Sequence, residues 1–174
     1  AGGVLASRLS ENPRNRVLLL EAGTKSHVYS RFPVSFGLLI HNEQANWLYE
    51  SEPEACTANR QIPVPRGKLL GGSSSINGLV WVRGQTLDYD TWAQQGNRGW
   101  SYDHVLPYFK KSEHYEGKGD ESRGKNGPLN VADMIERHEL CDAFIDAAEG
   151  LGYPRNPDYN NGKQEGFGYY QTTM

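Results

Sequence analysis

The sequence predicts an α/β fold, α+β in overall mix, built on part of a Rossmann-like unit. Three observations carry this reading. Residues 1–23 run as helix, turn, apolar stretch and terminal acid. Residues 65–84 form a glycine- and serine-rich loop set between apolar residues, and the rest alternates short strands with amphipathic helices. At 174 residues the chain is long enough to bury a core as one domain or as parts of two.

Residues 1–10 read as a helix with Val4, Leu5 and Leu9 on its buried side. Gly2 and Gly3 are poor helix formers, so something other than propensity places them there. A turn around Pro13 leads into Arg16-Val17-Leu18-Leu19-Leu20-Glu21, a continuous apolar run ending on an acid, the pattern of a fully buried parallel strand. This order is the second half of a dinucleotide-binding βαβ unit. Gly2 takes the place of the third glycine of its fingerprint, and Glu21 that of the acid that binds ribose hydroxyls. Taken alone, Glu21 is explained equally simply as a solvated strand end. The first strand and the first two glycines are not in the chain, which reads as cut at both ends.

Further on, residues 34–40 predict a short helix behind Pro33 with Phe36 and Ile40 on one face. Residues 47–53 alternate like a half-buried strand stopped by Pro53, and residues 61–65 are extended, because residues before proline avoid helical geometry. The chain then enters Arg66-Gly67-Lys68-Leu69-Leu70-Gly71-Gly72-Ser73-Ser74-Ser75-Ile76-Asn77-Gly78. Glycine removes the Cβ that blocks close approach, and successive N–H groups make an anion-binding concavity. A flexible linker lacks the apolar flanks Leu69, Leu70, Ile76 and residues 79–82. The loop therefore reads as buried and ligand-touching.

Residues 79–82 are expected to be helical or irregular and not a sheet strand. A helix follows over 88–95, with acids in its first turn and Gly96 beyond its end. Ser101 caps the next, whose buried face is Val105, Leu106, Tyr108 and Phe109, with Pro107 kinking or interrupting it. Residues 116–126 are polar and glycine-punctuated, a loop expected to be disordered or open to proteolysis. Residues 127–132 read as a strand. Residues 138–150 read as an amphipathic helix that buries Leu140, Phe144, Ala147, Ala148 and Leu151. Residues 154–166 are turn-rich. Residues 167–173 read as a terminal strand with an unpaired edge.

Composition closes off several classes. A net charge of −3 with interspersed signs gives no basic field for nucleic acid and no polybasic membrane patch. There is no stretch long enough to span a bilayer and no signal peptide, which points to a cytoplasmic protein. Cys56 and Cys141 fit no metal or CxxC spacing and read as reduced buried thiols. The five histidines sit apart and read as surface or capping residues, so no metal site is expected. A phosphate-loop NTPase is excluded, because no GK[ST] closes the glycine loop. Ten Tyr and four Trp beside 20 Gly point to a loop-rich fold with much aromatic packing.

With the half dinucleotide motif and the glycine loop in hand, the sequence resembles the glucose-methanol-choline (GMC) family of FAD-dependent oxidoreductases, in its bacterial alcohol and choline dehydrogenase-like branch. The resemblance runs densely from Gly2 to Met174. It is carried by Leu19-Leu20-Glu21-Ala22-Gly23, Trp47-Leu48-Tyr49, residues 66–84, Asp88-Tyr89-Asp90-Thr91-Trp92, Gly99-Trp100-Ser101-Tyr102, residues 106–113 and Gly127-Pro128-Leu129. It implies that residues 1–133 belong to the FAD-binding domain, including the flavin loop 65–84 and the cofactor lid region, and that 134–174 begin the substrate-binding domain. It also implies roles. Gly2 and Gly3 face the FAD pyrophosphate, Glu21 with Ala22 and Gly23 meets the adenosine ribose, and Arg66, Gly67 and Lys68 lead into the loop. Gly71, Gly72 and Ser73 pass along the pyrophosphate and ribityl chain, and Asn77, Gly78, Leu79 and Val80 lie along the flavin ring.

The resemblance further implies oxidation of an alcohol CH–OH to aldehyde or ketone by hydride transfer to flavin N5. Oxygen or a quinone is the electron acceptor, and the remainder of its own polypeptide completes the enzyme. Ile76 stands where some relatives carry the histidine that bonds to flavin, so FAD is expected to be non-covalent. The family's catalytic histidine pair lies C-terminal to these residues, and none of the five histidines here is assigned to it. The segment by itself is expected neither to hold FAD well nor to be active. Related chemistries on the same fold, a lyase or a photodecarboxylase, remain open, as does a non-catalytic, partner-completing module.

Overall fold

The computed structural model describes residues 1–173. Its contacts divide the chain into two compact units, residues 1–78 and the chain from Leu79 onward. Mixed helices and sheets make it an α/β protein, as the sequence predicts.

In the first unit, α1 (Gly2–Ser10) forms as expected, followed by the turn at Pro13, where the Asn15 N–H donates to the Asn12 carbonyl. Its apolar side is not buried: Val4, Leu5 and Leu9 are all exposed. Residues 16–20 take no regular secondary structure and join no sheet among the described residues, and Leu18 and Leu20 are 81% and 82% exposed. The apolar run has the composition of a buried strand, and no described strand lies beside it to accept its ladder. Pro33 opens a single-turn 3₁₀ helix (Pro33–Ser35) that continues into α2 (Phe36–Leu39). The residue that α2 buries is Leu39; Phe36 is exposed. A two-stranded antiparallel ribbon pairs β1 (Tyr49–Glu50) with β2 (Pro63–Val64), shorter than the alternation of 47–53 predicts. The unit's small core is Leu39, Ala45, Leu69 and Ile76.

The second unit is built on a four-stranded mixed sheet in the order β3-β6-β5-β4. Residues 79–82 were expected outside any sheet, but Val80–Trp81 form β3, paired antiparallel with β6 (Gln171–Thr172). β6 is therefore interior, flanked by β3 and by β5 (Leu129–Asp133), and the expected open edge at 167–173 does not exist. β4 (Glu113–Tyr115) runs parallel to β5.

Two helices pair on their aromatic residues: α3 (Thr86–Gln94) and α4 (Tyr102–Ser112). Tyr89 meets Trp92, Tyr102 and Phe109 with ring centroids 5.4–6.2 Å apart. Of the kink or interruption expected at Pro107, the interruption does not occur: α4 runs through it. Tyr102 is its buried residue, and Tyr108 points to solvent. α5 (Glu139–Gly150) is capped by the His138 side chain, which accepts from the Leu140 N–H. It buries Ile145 and Ala148, whereas Leu140, Phe144 and Leu151 are exposed, so its inward stripe is rotated from the one the apolar pattern predicts. Both cysteines are free, as expected, but exposed and not buried. No helix is long and apolar enough to cross a membrane.

Candidate functional site

The glycine loop of the first unit is fastened on three sides, and the fastening explains its residue types. On one side is Asn46, buried in the first unit. Its Oδ1 accepts the N–H of Arg66 (2.8 Å) and of Leu48 (3.1 Å), and its Nδ2 donates to the Ile40 carbonyl at 2.6 Å. A buried amide that satisfies both its ends holds geometry well, because the alternative is an unpaired polar group away from water. Backbone bonds from Trp47 N–H to Arg66 O and from Lys68 N–H to Ala45 O continue the seam. Asn46 is absent from the sequence-derived site; one asparagine among polar neighbours carries no local signal.

On the second side the loop meets the segment after Glu21. Thr24 and Leu69 form a parallel bridge, and the Leu70 N–H donates to Thr24 O at 2.9 Å. Gly23 lies so close that a Cβ there would stand 2.6 Å from Leu69 N. On the third side the loop folds on itself: a Cβ on Gly67 would stand 2.7 Å from Ser73 N, and the Gly67 N–H donates to Ser73 Oγ at 3.1 Å. Gly23 and Gly67 are thus glycines because protein backbone occupies the Cβ position. Leu69 and Ile76 pin the loop into the core. Between them Gly71 and Gly72 take φ +96° and +60°, and Gly72–Ser75 make a 3₁₀ turn. Ser74 Oγ donates to Gly71 O (2.7 Å) and Ser75 Oγ to Leu70 O (2.9 Å).

Other glycines are open for a different reason. A Cβ on Gly3 or Gly72 would meet no protein atom within 4 Å, and one on Gly2 only a Leu19 methyl at 3.7 Å. Gly2 and Gly3 sit in α1, where glycine costs roughly 1 kcal/mol each relative to alanine, with no described protein contact that requires it. The first backbone bond of α1 runs from Leu5 N–H to Ala1 O, so the N–H groups of residues 2–4 project from the positive end of the helix. Glu21 is exposed. Its Oε1 accepts the Gly23 N–H at 2.8 Å, and Oε2 has no donor among the described residues. Arg66 turns its guanidinium onto the Pro65 carbonyl, and the Lys68 ammonium stands 4.8 Å from the centre of the Trp47 ring, which stacks on Tyr49.

The structure therefore brings Gly23 against the Lys68–Leu69 backbone of the loop, with Glu21 bonded to Gly23. Asn77 and Gly78 close the first unit, at the exposed end of the loop. Leu79 and Val80 open the second. Leu79 has φ +64°, and its carbonyl accepts from the Thr173 N–H at 2.9 Å and Thr173 Oγ1 at 3.3 Å.

Behind β3 in the second unit lies a buried polar cluster that the sequence did not reveal. Glu113 has no exposed surface and accepts from Trp81 Nε1 (2.9 Å), Arg83 Nη2 (2.5 Å), Arg123 Nη2 (2.6 Å) and the Gly124 N–H (2.8 Å). Burial alone pushes its carboxyl pKa up, but the bonds from Arg123 and Gly124 and the two guanidinium charges outweigh that and hold it below its ordinary value. Arg123 also reaches Asp158 (2.7 Å) and Gln171 (2.9 Å), and its guanidinium lies 3.7 Å from the Tyr115 ring centre. Burial and the Asp133 carboxylate raise the Tyr115 phenol well above its ordinary range. Arg123 sits in the 116–126 stretch expected to be disordered, yet it is buried and bonded. No group of three or more His, Cys, Asp or Glu among the described residues is arranged to hold a metal ion.

Similarity to known proteins fits this geometry. The chain is 47% identical over 174 residues to an oxygen-dependent choline dehydrogenase of Sinorhizobium fredii, covering 99% of this chain and 32% of that protein. The crystal structure of pyridoxine 4-oxidase from Mesorbium loti superposes with a TM-score of 0.92 at 36% identity, covering 99% of this chain and 34% of that one. A variant formate oxidase of Aspergillus oryzae, concerned with FAD modification, gives 0.83 at 28% identity, covering 98% and 32%. The chain thus spans about a third of the length of the relatives it matches. The GMC oxidoreductase family model matches residues 11–174, including the glycine loop and the whole second unit, and the chain belongs to that family.

Proposed function

We propose that this chain is the FAD-holding portion of a flavoenzyme that oxidises an alcohol CH–OH to an aldehyde or ketone. The observation that carries the reading is the pair of glycines opening α1, whose Cβ positions face no protein contact beyond one Leu19 methyl, whereas Gly23 and Gly67 of the same unit are packed on backbone. Backbone N–H groups at a helix start with no side chain in the way suit a pyrophosphate. Glu21, with one carboxylate oxygen bound to Gly23 and the other open, suits two ribose hydroxyls. The turn at Gly71, Gly72 and Ser73 lines the pyrophosphate and ribityl chain, and Asn77, Gly78, Leu79 and Val80 present backbone and amide groups to the ring. Arg66, Gly67 and Lys68 set the approach, with Gly67 giving the room for the loop to close. Ile76 is buried in the core and offers no nucleophile, which favours non-covalent cofactor.

When bound, FAD supplies a two-electron acceptor at N5 for the alcohol hydride. The residues of this chain hold and orient it. The general base and most of the substrate pocket belong to the remainder of the polypeptide, with residues 134–174 opening the substrate-binding domain after the FAD-binding portion at 1–133. Choline and pyridoxine, the substrates named for relatives, head the alcohols to be tried, with oxygen or a quinone as acceptor. The protein acts in the cytoplasm. The test is anaerobic mixing of the full-length protein with a panel of primary alcohols that includes both. Bleaching of a bound flavin by at least one alcohol is expected; a full-length protein purified without flavin that takes up none from excess FAD would end the reading.

A further inference from the structure

We infer that Asn160 and Thr173 are positioning residues for the flavin-facing backbone at Leu79 and Val80, an inference that rests on the cofactor reading above. It begins from the strain at Leu79. A leucine with φ +64° is in the left-handed region, which is unfavourable for a residue with a Cβ and persists only where the surroundings over-determine it. A two-residue antiparallel strand needs no left-handed residue at its entrance, so the ladder does not explain the conformation.

The surroundings do over-determine it, from both ends of β3. Upstream, Thr173 donates to the Leu79 carbonyl from both its backbone N–H and its hydroxyl. Downstream, the side-chain amide of Asn160 grips the strand by two points. Its Nδ2 donates to the Trp81 carbonyl at 3.1 Å, and its Oδ1 accepts the Arg83 N–H at 2.7 Å. Asn160 is 1% exposed and is itself held, with Nδ2 also donating to Gln171 Oε1 at 2.7 Å and its backbone N–H bonded to Asp158 Oδ1 at 2.9 Å. The Trp81 indole of β3 is tied to Glu113 of β4. Thr173 and Asn160 come from beyond and before β6 in sequence, about 80–95 residues away, so the grip is made by the fold and not by local turn chemistry. The result is a short strand whose entrance residue has one permitted position. A backbone that must present a fixed dipole to a ring where charge develops gains from this kind of pre-organisation, whereas a merely structural strand does not need it.

The test uses the full-length holoprotein and sulfite, which adds to N5 of an oxidised flavin and bleaches its visible band, with an affinity set by how the protein stabilises the resulting negative charge. Asn160→Asp keeps the acceptor for the Arg83 N–H and turns the donor toward the Trp81 carbonyl into a second acceptor. Its sulfite Kd is expected to move by about tenfold or more, with FAD affinity staying within about threefold. Trp81→Phe, which removes only the indole bond to Glu113, is expected to move it by about threefold. Arg155→Ala, at a surface ion pair with Asp146 and Glu149, is the unchanged control. If both variants bind FAD and sulfite as the wild type does, the positioning role is wrong. Should Asn160→Asp fail to fold, Thr173→Val, which removes the hydroxyl donor to the Leu79 carbonyl and keeps the backbone one, decides: a sulfite Kd unchanged from the wild type overturns the positioning role. A wild-type protein that holds no FAD before sulfite is added overturns the cofactor reading itself, and this inference with it.

Discussion

Replacing Glu113 by glutamine is the sharpest perturbation the second unit offers. The side chain keeps its shape and loses its charge, in a place where both guanidiniums it meets are no more than 1% exposed. Removing one partner of a buried ion pair costs about 3–5 kcal/mol, because the charge left behind has neither water nor counter-ion. Here two arginines lose the same partner, although Arg123 keeps Asp158 and Arg83 keeps the carbonyls of Ser122 and Asn160, which argues for that range and not its double. A cost of about 3–5 kcal/mol raises the population of the opened unit by roughly a hundredfold to several thousandfold. Hydrogen exchange reads this directly at two amides: Tyr115 N–H, bonded to the Gly124 carbonyl at 2.8 Å, and Gly127 N–H, bonded to the Glu113 carbonyl at 2.8 Å. Both should lose protection by that factor.

The pH dependence follows with a definite sign. The folded carboxyl sits below its ordinary value of 4.5, so its stabilisation is fully present above that pH and is lost as pH falls through the folded value. The gap between wild type and variant should therefore hold above pH 4.5 and close on acidification below it. Protection of both amides within about threefold of wild type at pH 7 would refute the argument, since it would mean the charge is dispensable.

Four further outcomes test the first unit in the full-length protein. Gly3→Ala is expected to stabilise α1 by up to about 1 kcal/mol in thermal unfolding of the apoprotein, yet to weaken FAD binding about tenfold in a fluorescence titration. Gly23→Ala should do neither but misfold or lose flavin altogether, as Cβ and the Lys68–Leu69 backbone cannot share that space; normal flavin content would contradict the close approach. Glu21→Ala is expected to weaken FAD about tenfold to a hundredfold, the worth of a charge-assisted hydrogen bond, with the flavin spectrum unchanged. Acid precipitation of the holoprotein should leave all its flavin in the supernatant, and yellow colour in the pellet would show a covalent link that Ile76 does not explain.

The glycine loop was legible because its cause is local. Gly67, Gly71 and Gly72 announce close approach and left-handed geometry in the residue types themselves. Val80–Trp81 were misread because a two-residue apolar run has no period to measure, and their partner lies some 90 residues further on. The run at 16–20 has the composition of a buried strand, but composition does not supply a neighbour. In α5 the apolar residues Leu140 and Phe144 drew the stripe away from Ile145, which buries together with the expected Ala148; a helix that is apolar on much of its circumference does not say which side faces in. Arg83, Glu113 and Arg123 were invisible for a deeper reason. Each looks in sequence like a solvated charge, and only the fold, by closing 116–126 back onto β4, makes them one another's solvent.

α4 ends at Ser112 and β4 starts at Glu113, so the helix becomes the strand with no loop residue between them. Such a splice has no slack. One residue added to or removed from the last turn of α4 would rotate everything after it by about 100° about the helix axis, swinging Glu113 away from both arginines. Most substitutions around that splice are survivable in principle, but changes in length are not. Engineers grafting or trimming this region have no freedom at 109–113, where the spacing of the chain is itself the functional information.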